Sequence, residues 1–438
     1  MRQRIALAAW FLFFAPTFGS AAEPVCGDEF ERLRQPFFGD LHVHTSSSID
    51  AFVFDVTNTP RDAYRFAAGG TVGLTPVDID KNPQRQWTLR RPLDFTAVTD
   101  HSEGFGITHV CTTPGSPGYD LPECVVLRGV IPRSDLPNPN GVQFALHARL
   151  ARAALLLLIG YVGVIPPNSP FTCRLYPEQC DAGAVTIWQD EQDAAASFNA
   201  PCNFTTFVAY EWTAMPGAAN LHRNVIFRND KVPGKPISYN DTVSFDAKVL
   251  WKMLGKACYQ DTPGCDVLTI PHNSNLSAGL MFPDPDDAEE AADRAVWEPL
   301  VEITQHKGAS ECRFERIYGA GVDTTDELCA WEQVPALTLL PIPGPALPLP
   351  PQLFPRRSFI RNVLKDGIRL EQRGFHDSEN SGQKVHVNPF KLGIIGSTDT
   401  HNGTPGNTDE FDFPGHVGNQ DDDAVKMMSD GGVARANP

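Results

Sequence analysis

The chain has 438 residues, 42% of them hydrophobic, which is enough for one large α/β domain or two ordinary ones with a sizeable core. Its 53 acidic residues outnumber its 36 basic residues, so the formal net charge is −17. Binding to nucleic acid depends on Lys and Arg at the phosphates, and this balance therefore predicts no nucleic-acid partner.

The N-terminus has the features of a signal peptide over residues 1–22. Two arginines precede the apolar run IALAAWFLFF, and a Ser-Ala-Ala triplet fits a cleavage site before Glu23. We therefore expect an exported protein, periplasmic or secreted, whose mature domain covers residues 23–438.

Two long insertions are predicted within this domain, at about 111–201 and 333–355. Loops of this length in a compact domain usually cover a site or contact a partner. The first insertion includes the apolar run AALLLLIGYVGVI (Ala153–Ile165), which is shorter than the ~20 residues that span a bilayer. It predicts a buried helix, and we expect no stable membrane span. The chain stops at SDGGVARANP without a closing element, from which we expect a truncated C-terminus.

The chain contains ten cysteines, an even count that favours disulfides in an exported protein. There is no CxxC motif, so a zinc site built from thiolates is not expected. Closeness in sequence suggests the pairs Cys111–Cys124, Cys173–Cys180, Cys258–Cys265 and Cys312–Cys329. Cys26 and Cys202 then remain.

Strand-like apolar runs alternate with helical stripes along the chain. Helices are predicted within Ser244–Gln260 and Ser358–Gly374, where apolar residues recur at helical spacing. Strand, helix and strand in this order predict an α/β fold of parallel βα units. The apolar runs lead into or out of His, Asp or Glu in PFFGDLHVHT, DFTAVTDHSE, FTTFVAYEWT, LHRNVIFRN, VLTIPHNSN, LVEITQHKG and KLGIIGSTDTH. In αβ barrels, the catalytic groups lie where the strands end.

Metal-ligand residue types therefore stand together at predicted strand ends. In the motif HVH, residues i and i+2 of a strand point to one face, so both imidazoles are directed to one point. A carboxylate at the end of a buried apolar run, such as Glu211, needs a partner charge or a metal. The candidate ligands are His42, His44, His101, Glu211, His222, His272, Asp399 and His401. Imidazole and carboxylate ligands without thiolates suit Zn, Mn or Fe.

Other polar residues near these positions are candidates for binding substrate. Glu302 and His306 are interpreted either as ligands or as groups that hold the ligands. Arg223, Asn273 and Lys307 lie beside ligand positions and are candidates to hold a substrate oxyanion, with exposed loop residues as the alternative interpretation. We include His306 among the substrate-binding candidates. The histidines without a strand-end context are interpreted as surface or loop residues: His109, His147, His376, His386 and His416.

The ordered set DLHVHT, VTDHSE, YEW followed by LHRN, IPHNSN and STDTHNG resembles the PHP (polymerase and histidinol phosphatase) superfamily. It looks most like the uncharacterised secreted branch of that superfamily, known as DUF3604. The resemblance spans roughly Phe37 to the end of the chain. It implies a distorted seven-stranded αβ (TIM-like) barrel with a site for two or three metal ions at its mouth.

The resemblance also implies which residues hold each ion. The first ion is expected at His42, His44, Glu211 and Asp399. Glu211 is expected to bridge to a second ion that His222 and His272 also bind. A third ion is expected at His101 and His401. Many relatives have a further histidine shortly after the HxH motif, where this chain has SSSID, so Asp50 is expected to serve in its place.

These observations predict a metal-dependent hydrolase, with a phosphoesterase as the first hypothesis. Two ions would activate a bridging hydroxide, and His101 or His401 would protonate the leaving oxygen. Together with Asp399, these are the predicted catalytic residues, and the partner is a small molecule, a phosphate ester. Hydrolysis of an amide, lactone or ester is the alternative chemistry. A third hypothesis is a non-catalytic metal-binding or interaction module, which predicts a closed site.

Overall fold

A computed structural model of the chain describes residues 36–78, 80–129, 170–217, 219–334, 350–376, 383–409 and 411–428. Several predictions fall outside these residues. They are the signal peptide, the buried helix at Ala153–Ile165, most of the second insertion, Cys26, His147 and the C-terminal SDGGVARANP.

The described residues form a mixture of helices and short strands, as expected for an α/β protein. The strands are β1 Gly39–Asp40, β2 Thr71–Val77, β3 Pro83–Thr88, β4 Phe95–Ala97, β5 Thr205–Phe207, β6 Ala209–Trp212, β7 Arg223–Phe227, β8 Val267–Pro271, β9 Leu300–Glu302, β10 Thr304–Gln305, β11 Gly308–Ala309, β12 Phe314–Glu315, β13 Ala320–Gly321, β14 Phe375–His376, β15 Lys384–Val385 and β16 Gly393–Ile395.

The α-helices lie mainly between strands. They are α1 Ile49–Val53, α2 Pro60–Ala67, α3 Phe105–Thr112, α4 Pro122–Leu127, α5 Phe171–Leu175, α6 Pro177–Phe198, α7 Tyr239–Thr242, α8 Ala247–Leu254, α9 Ala288–Trp297, α10 Ile360–Arg373 and α11 Ala424–Met428. Short 3-10 turns lie at Ser102–Gly104, Ser274–Leu276, Glu327–Ala330, Pro351–Leu353, Arg356–Ser358 and Gly418–Gln420. None of the described helices is long and apolar enough to cross a membrane.

The main strands form three small sheets, and the described residues contain no closed barrel. Strands β1, β4 and β5 pair in parallel, as do β9 and β16. Strands β6, β7 and β8 pair in antiparallel fashion. The prediction of parallel βα units is therefore confirmed for part of the structure and is wrong for β7. The barrel itself is not confirmed by these pairings.

Two isolated bridges connect the sheets at the ends of their strands or just beyond them. Val43 pairs with Thr400 and His101 pairs with Glu211, both in parallel. These bridges bring the segments that follow β1, β4 and β16 to the same edge as β6. Candidate ligands from distant parts of the chain are consequently carried by neighbouring backbones.

The strands at this edge pack against the main hydrophobic core. Trp188 of α6 packs edge-on against Tyr210, with ring centroids 5.5 Å apart, and both side chains are fully buried. The hydroxyl of Tyr64 donates to the carbonyl of Phe207 and accepts from the amide of Val98. Tyr64 belongs to α2, so this hydroxyl connects α2 to the end of β5 and to the segment that follows β4.

The predicted helices and disulfides agree with the structure. Helix α8 begins after an Asp246 cap and continues as a π-helical turn over Gly255–Gln260, and α10 lies within the second predicted segment. All four predicted local disulfides are formed, namely Cys111–Cys124, Cys173–Cys180, Cys258–Cys265 and Cys312–Cys329. Cys202 is disulfide-bonded as well. These disulfides are compatible with an exported protein.

Candidate metal centre

The HVH motif lies directly after β1, where the chain is held to the segment after β16. The amide of His44 donates to the carbonyl of Thr400 at 2.7 Å. Asp40 accepts from the amide of Thr398 at 3.1 Å and from the amide of Gly406 at 2.8 Å. Both imidazoles are fully buried, and their Nε2 atoms lie 3.2 Å apart. As predicted from the i, i+2 spacing, the two rings are directed to one point.

The two carboxylate oxygens of Asp399 contact different groups. Oδ1 lies 3.2 Å from Nε2 of His42 and 3.1 Å from Nε2 of His44. Oδ2 instead accepts from Nε2 of Gln305 at 2.6 Å and contacts the ammonium of Lys307. Asp399 has a φ of 53°, a left-handed conformation that is uncommon for residues other than glycine. Strained backbone of this kind is concentrated at functional sites.

Glu211 at the end of β6 also faces two ligand groups. Its Oε2 lies 3.2 Å from Nε2 of His42 and 3.3 Å from Nε2 of His44. Its Oε1 lies 2.8 Å from Nδ1 of His222 and 3.3 Å from Nε2 of His272. One carboxylate therefore stands between the first and second predicted ligand groups, the position that a bridging ligand requires.

His222 reaches this position because β7 runs antiparallel to β6 and β8. The residue precedes β7, whereas His272 follows β8 and Glu211 lies within β6 close to its end. In an antiparallel sheet, the beginning of the central strand lies at the same edge as the ends of the flanking strands. The reversed direction of β7 thus places His222 beside ligands that come from strand ends.

The third predicted group is formed around Asp50. Its Oδ2 lies 3.1 Å from Nε2 of His101 and 2.7 Å from Nε2 of His401. The ring of His44 stacks against both histidines, with centroid distances of 4.5 Å and 4.3 Å. The SSSID segment therefore supplies a carboxylate to this group, as the resemblance implied.

The residues thus brought together form four overlapping donor groups, in each of which the ligand atoms lie within 4.8 Å of one another. The groups are His44, Asp50, His101 and His401; His42, His44 and Asp399; His42, Glu211 and His272; and His306, Asp399 and His401. Two buried ring nitrogens here, Nε2 of His222 and Nδ1 of His272, have no hydrogen-bond partner among the described residues. Buried ring nitrogens in this state fit ligands of a metal centre.

Residues 31–436 match the protein family described as "Protein of unknown function (DUF3604)". The chain belongs to the DUF3604 family. No curated protein and no solved structure matches it.

The charges in the cluster depend strongly on one another. Burial would raise the pKa of Glu211, but His101, His272 and His222 hold that pKa well below its usual range. Burial would likewise raise the pKa of Asp399, whereas His42 and Lys307 hold it well below. Both carboxylates are therefore ionised and able to bind cations.

The histidines differ in charge because their carboxylate contacts differ. Burial lowers the pKa of His101, but Glu211 and Asp50 raise it to about 10. Burial lowers the pKa of His222 to about 4, although Glu211 acts in the opposite direction. In the metal-free DUF3604 protein near neutral pH, His101 therefore carries a proton that a metal ion would have to displace, whereas His222 is already neutral.

Side chains around the ligands orient the imidazole rings. Glu302 Oε2 lies 3.0 Å from Nδ1 of His42, and the hydroxyl of Ser48 lies 3.1 Å from Nδ1 of His44. The carboxylate of Glu302 can thus accept the Nδ1 proton of His42 and leave Nε2 free as a ligand atom. This contact agrees with one of the two predicted roles of Glu302, that of a group that orients the candidate ligand His42.

Sequence patterns did not reveal Gln305 or Asp40. Gln305 lies between Asn273 and Asp399 and bonds to both. Asp40 ties the HVH segment to the end of β16. The available signal was their position, since each lies within two or three residues of a predicted site residue in a strand. Their role depends on contacts with segments that are distant in sequence.

The predicted substrate residues divide into two locations. Asn273, His306 and Lys307 lie on the Asp399 side of the cluster, where Nε2 of His306 is 3.3 Å from Oδ2 of Asp399. Arg223 instead donates through Nε to Glu298 at 2.7 Å and through a terminal nitrogen to the carbonyl of Leu221. Its guanidinium is therefore buried and paired within the protein, so the structure does not favour Arg223 as a substrate-binding residue.

His416, which we interpreted as a surface or loop residue, lies in a loop but is buried. Its Nε2 lies 2.7 Å from the carbonyl of Asn407, and its ring centroid is 5.9 Å from that of His306. The loop around His416 is held by Asn402, whose amide donates to the carbonyl of Gly415 at 2.8 Å and whose Oδ1 accepts from the backbone N–H of Gly418 at 2.7 Å. His416 therefore packs edge-on against His306 from a loop that is fixed by hydrogen bonds.

Proposed function

We propose that this protein is an exported metal-dependent hydrolase, and specifically a phosphoesterase. The observation that carries the proposal is the arrangement of Glu211, whose Oε2 faces His42 and His44 while its Oε1 faces His222 and His272. A carboxylate shared by two imidazole groups is the arrangement expected of a centre with two neighbouring ions. Zn, Mn and Fe all suit this donor set.

The proposal includes a distorted seven-stranded barrel of the PHP type. It is supported by the order in which the main strands meet. Strand β1 pairs with β4, and β4 pairs with β5. The chain continues from β5 directly into β6, which pairs with β7, and β7 pairs with β8. Strand β8 contacts β9, which pairs with β16, and Thr400 beyond β16 pairs with Val43 beyond β1. A ring with this strand order would place every ligand group at one mouth.

Divalent ions bound at such a centre lower the pKa of bound water and neutralise charge on a phosphoryl group. The residues of the chain then have separate tasks. His42, His44, Glu211, Asp399, His222 and His272 would hold two ions, and Asp50, His101 and His401 would hold a third. Where the third position carries no ion, His101 or His401 would donate a proton to the leaving oxygen, since Asp50 orients both rings.

The test is hydrolysis of phosphomonoester and phosphodiester reporters by the mature protein in metal-stripped, Mn-loaded and Zn-loaded form. We expect turnover only with metal, and loss of turnover in the His42→Ala/His44→Ala variant and in Asp399→Ala. The matched control is His386→Ala, which removes an exposed imidazole bonded to the carbonyl of Glu371 and should retain full activity.

Other outcomes separate the alternatives. Turnover of amide, lactone or ester reporters without phosphoesterase activity would support the same centre acting on a carbonyl carbon. Metal bound at full stoichiometry without turnover of any reporter would support a closed, non-catalytic site. Phosphoesterase activity that survives in Asp399→Ala would contradict the assignment of the centre.

A further inference from the structure

The orientation of one buried amide can be deduced from a chain of hydrogen bonds on the Asp399 side of the cluster. The backbone N–H of Lys307 donates to Oε1 of Gln305 at 2.5 Å. A backbone N–H is always a donor, so this end of the Gln305 amide must be its oxygen. The other end, Nε2, is therefore a donor, and it lies 2.6 Å from Oδ2 of Asp399, which accepts.

The same nitrogen also determines how Asn273 is turned. Nε2 of Gln305 lies 2.8 Å from Oδ1 of Asn273, which accepts its second hydrogen. The NH₂ end of Asn273 therefore faces away from Gln305. That Nδ2 is buried and has no hydrogen-bond partner among the residues that the structure describes, and the residue is only 1% exposed. Nearly all buried donors in proteins are paired, so this donor, beside a candidate ligand residue, is available to an acceptor supplied from outside the chain.

Nearby on the same side of the cluster, Lys307 supplies a positive charge. Its ammonium contacts Oδ2 of Asp399, the same oxygen that accepts from Gln305. An ammonium has three N–H groups, and the side chain is 21% exposed, so it retains donors for a ligand. Because Oδ1 of Asp399 faces His42 and His44 instead, a ligand at Lys307 would lie beside the metal centre without displacing its donors.

We infer that Asn273 Nδ2 and Lys307 Nζ form a subsite for a negatively charged oxygen of the substrate, with Gln305 as the residue that positions Asn273. This inference rests on the proposed function and narrows its substrate class. A neutral amide donor beside an ammonium matches oxygen atoms that carry negative charge, because hydrogen bonds to charged acceptors are the strongest. Phosphate and sulfate esters fit this subsite, and neutral lactones and esters do not.

The test is calorimetric binding of inorganic phosphate, and separately of sulfate, to the Mn-loaded protein with metal content measured in each sample. Asn273→Gly removes the donor and accommodates the left-handed backbone of this position, whose φ is 57°. We expect its Kd for phosphate to rise about ten-fold. Asn273→Asp keeps the acceptor for Gln305 and replaces the donor by a negative charge, and its Kd should rise further.

Two more variants separate positioning from general effects. Gln305→Met keeps the side-chain length without hydrogen bonds, and its phosphate Kd should rise at unchanged metal content. Asn240→Asp adds a charge where the amide donates to the carbonyl of Glu103, and its phosphate Kd should stay near that of the original protein.

The outcomes are distinguishable from those of the function test. Weakened phosphate or sulfate binding in the Asn273 variants supports the subsite even when no reporter is hydrolysed, in which case only the proposed function fails. Tighter binding of phosphate than of sulfate favours a phosphate ester as the substrate class, and the reverse order favours a sulfate ester. Unchanged binding in both Asn273 variants at equal metal content overturns the inference, as does a metal-loaded protein that binds neither anion.

Discussion

At the scale of single residues, one side chain of the cluster contacts different partners through different atoms. Asp399 directs Oδ1 to the imidazoles of His42 and His44 and Oδ2 to donors from Gln305 and Lys307. The imidazole of His42 in turn directs Nε2 to the cluster and Nδ1 to Glu302. Such outer contacts fix ring orientation and strengthen metal binding.

Glu302→Gln is expected to weaken metal binding while leaving the fold intact. The carboxylate accepts the Nδ1 proton of His42 within a fully buried pair, and loss of such a contact typically costs about 10–100-fold in metal affinity. Competition with a chelator of known affinity would measure the change. Glu311→Gln, at a surface carboxylate bonded to Arg361, is the control. Equal affinity in both variants would show that Glu302 does not orient His42.

Metal binding to the metal-free protein is expected to release protons near pH 7. Burial lowers the pKa of His101, but Glu211 and Asp50 raise it to about 10, above its ordinary 6.5. The stabilisation from charged His101 is therefore complete below about pH 6.5 and is lost as the pH rises through about 10. Metal affinity should rise over the same interval.

Calorimetric metal titrations in two buffers of different ionisation enthalpy measure this release. The observed heat should differ between the buffers for the original protein. His101→Gln should show a smaller difference because it has no imidazolium at this position to deprotonate. The same heat in both buffers for the original protein would mean that His101 is neutral before metal binds.

At the scale of elements, the site depends on how β7 is anchored to α9. Glu298 follows α9 and is fully buried between two arginines. It lies 2.7 Å from Nε of Arg223 at the start of β7 and 2.9 Å from a terminal nitrogen of Arg294 in α9. This ion triad holds the beginning of β7, and His222 precedes that strand by one residue.

Glu298→Ala is expected to lower the free energy of unfolding by about 3–5 kcal/mol, because it leaves the buried Arg223 without its counter-charge. Urea-induced unfolding followed by circular dichroism would measure the change. Asp266→Ala is the matched control in the same sheet, since Asp266 pairs with Arg228 at 3.2 Å on the surface, and its unfolding should be unchanged. Similar effects of both substitutions would show that the buried triad contributes no more to stability than a surface ion pair.

At the scale of the whole molecule, the metal centre joins segments from nearly the full length of the described chain. His42 and Asp399 stand near the two ends of the fold, and Glu211 comes from its middle. A ligand that binds only when all these segments are assembled stabilises the global fold and not a local element. Metal removal should therefore affect the unfolding of the complete domain.

We expect metal to raise the unfolding free energy by about 2.7 kcal/mol for each independent site when free metal reaches 100 times its Kd. Differential scanning calorimetry with and without added Mn would show this as a higher transition temperature. The His42→Ala/His44→Ala variant should show a smaller rise. A transition temperature that is independent of metal in the original protein would contradict the assembled centre.

The sequence by itself determined features that depend on neighbouring residues. The helices at Ala247–Leu254 and Ile360–Arg373 follow from apolar spacing, and the four local disulfides follow from cysteines that a short loop can join. The candidate ligands could be chosen because ionisable residues at the edge of buried apolar runs require partners.

Only the tertiary structure decided how these residues meet. The direction of β7 depends on its pairing with β6 and β8, which apolar spacing does not specify. Glu302 contacts His42 across 260 positions of the chain, and the orientation of Arg223 toward Glu298 spans 75. Local pattern limits which residue types can lie at a strand end, but register and packing between distant segments determine which atom faces which partner.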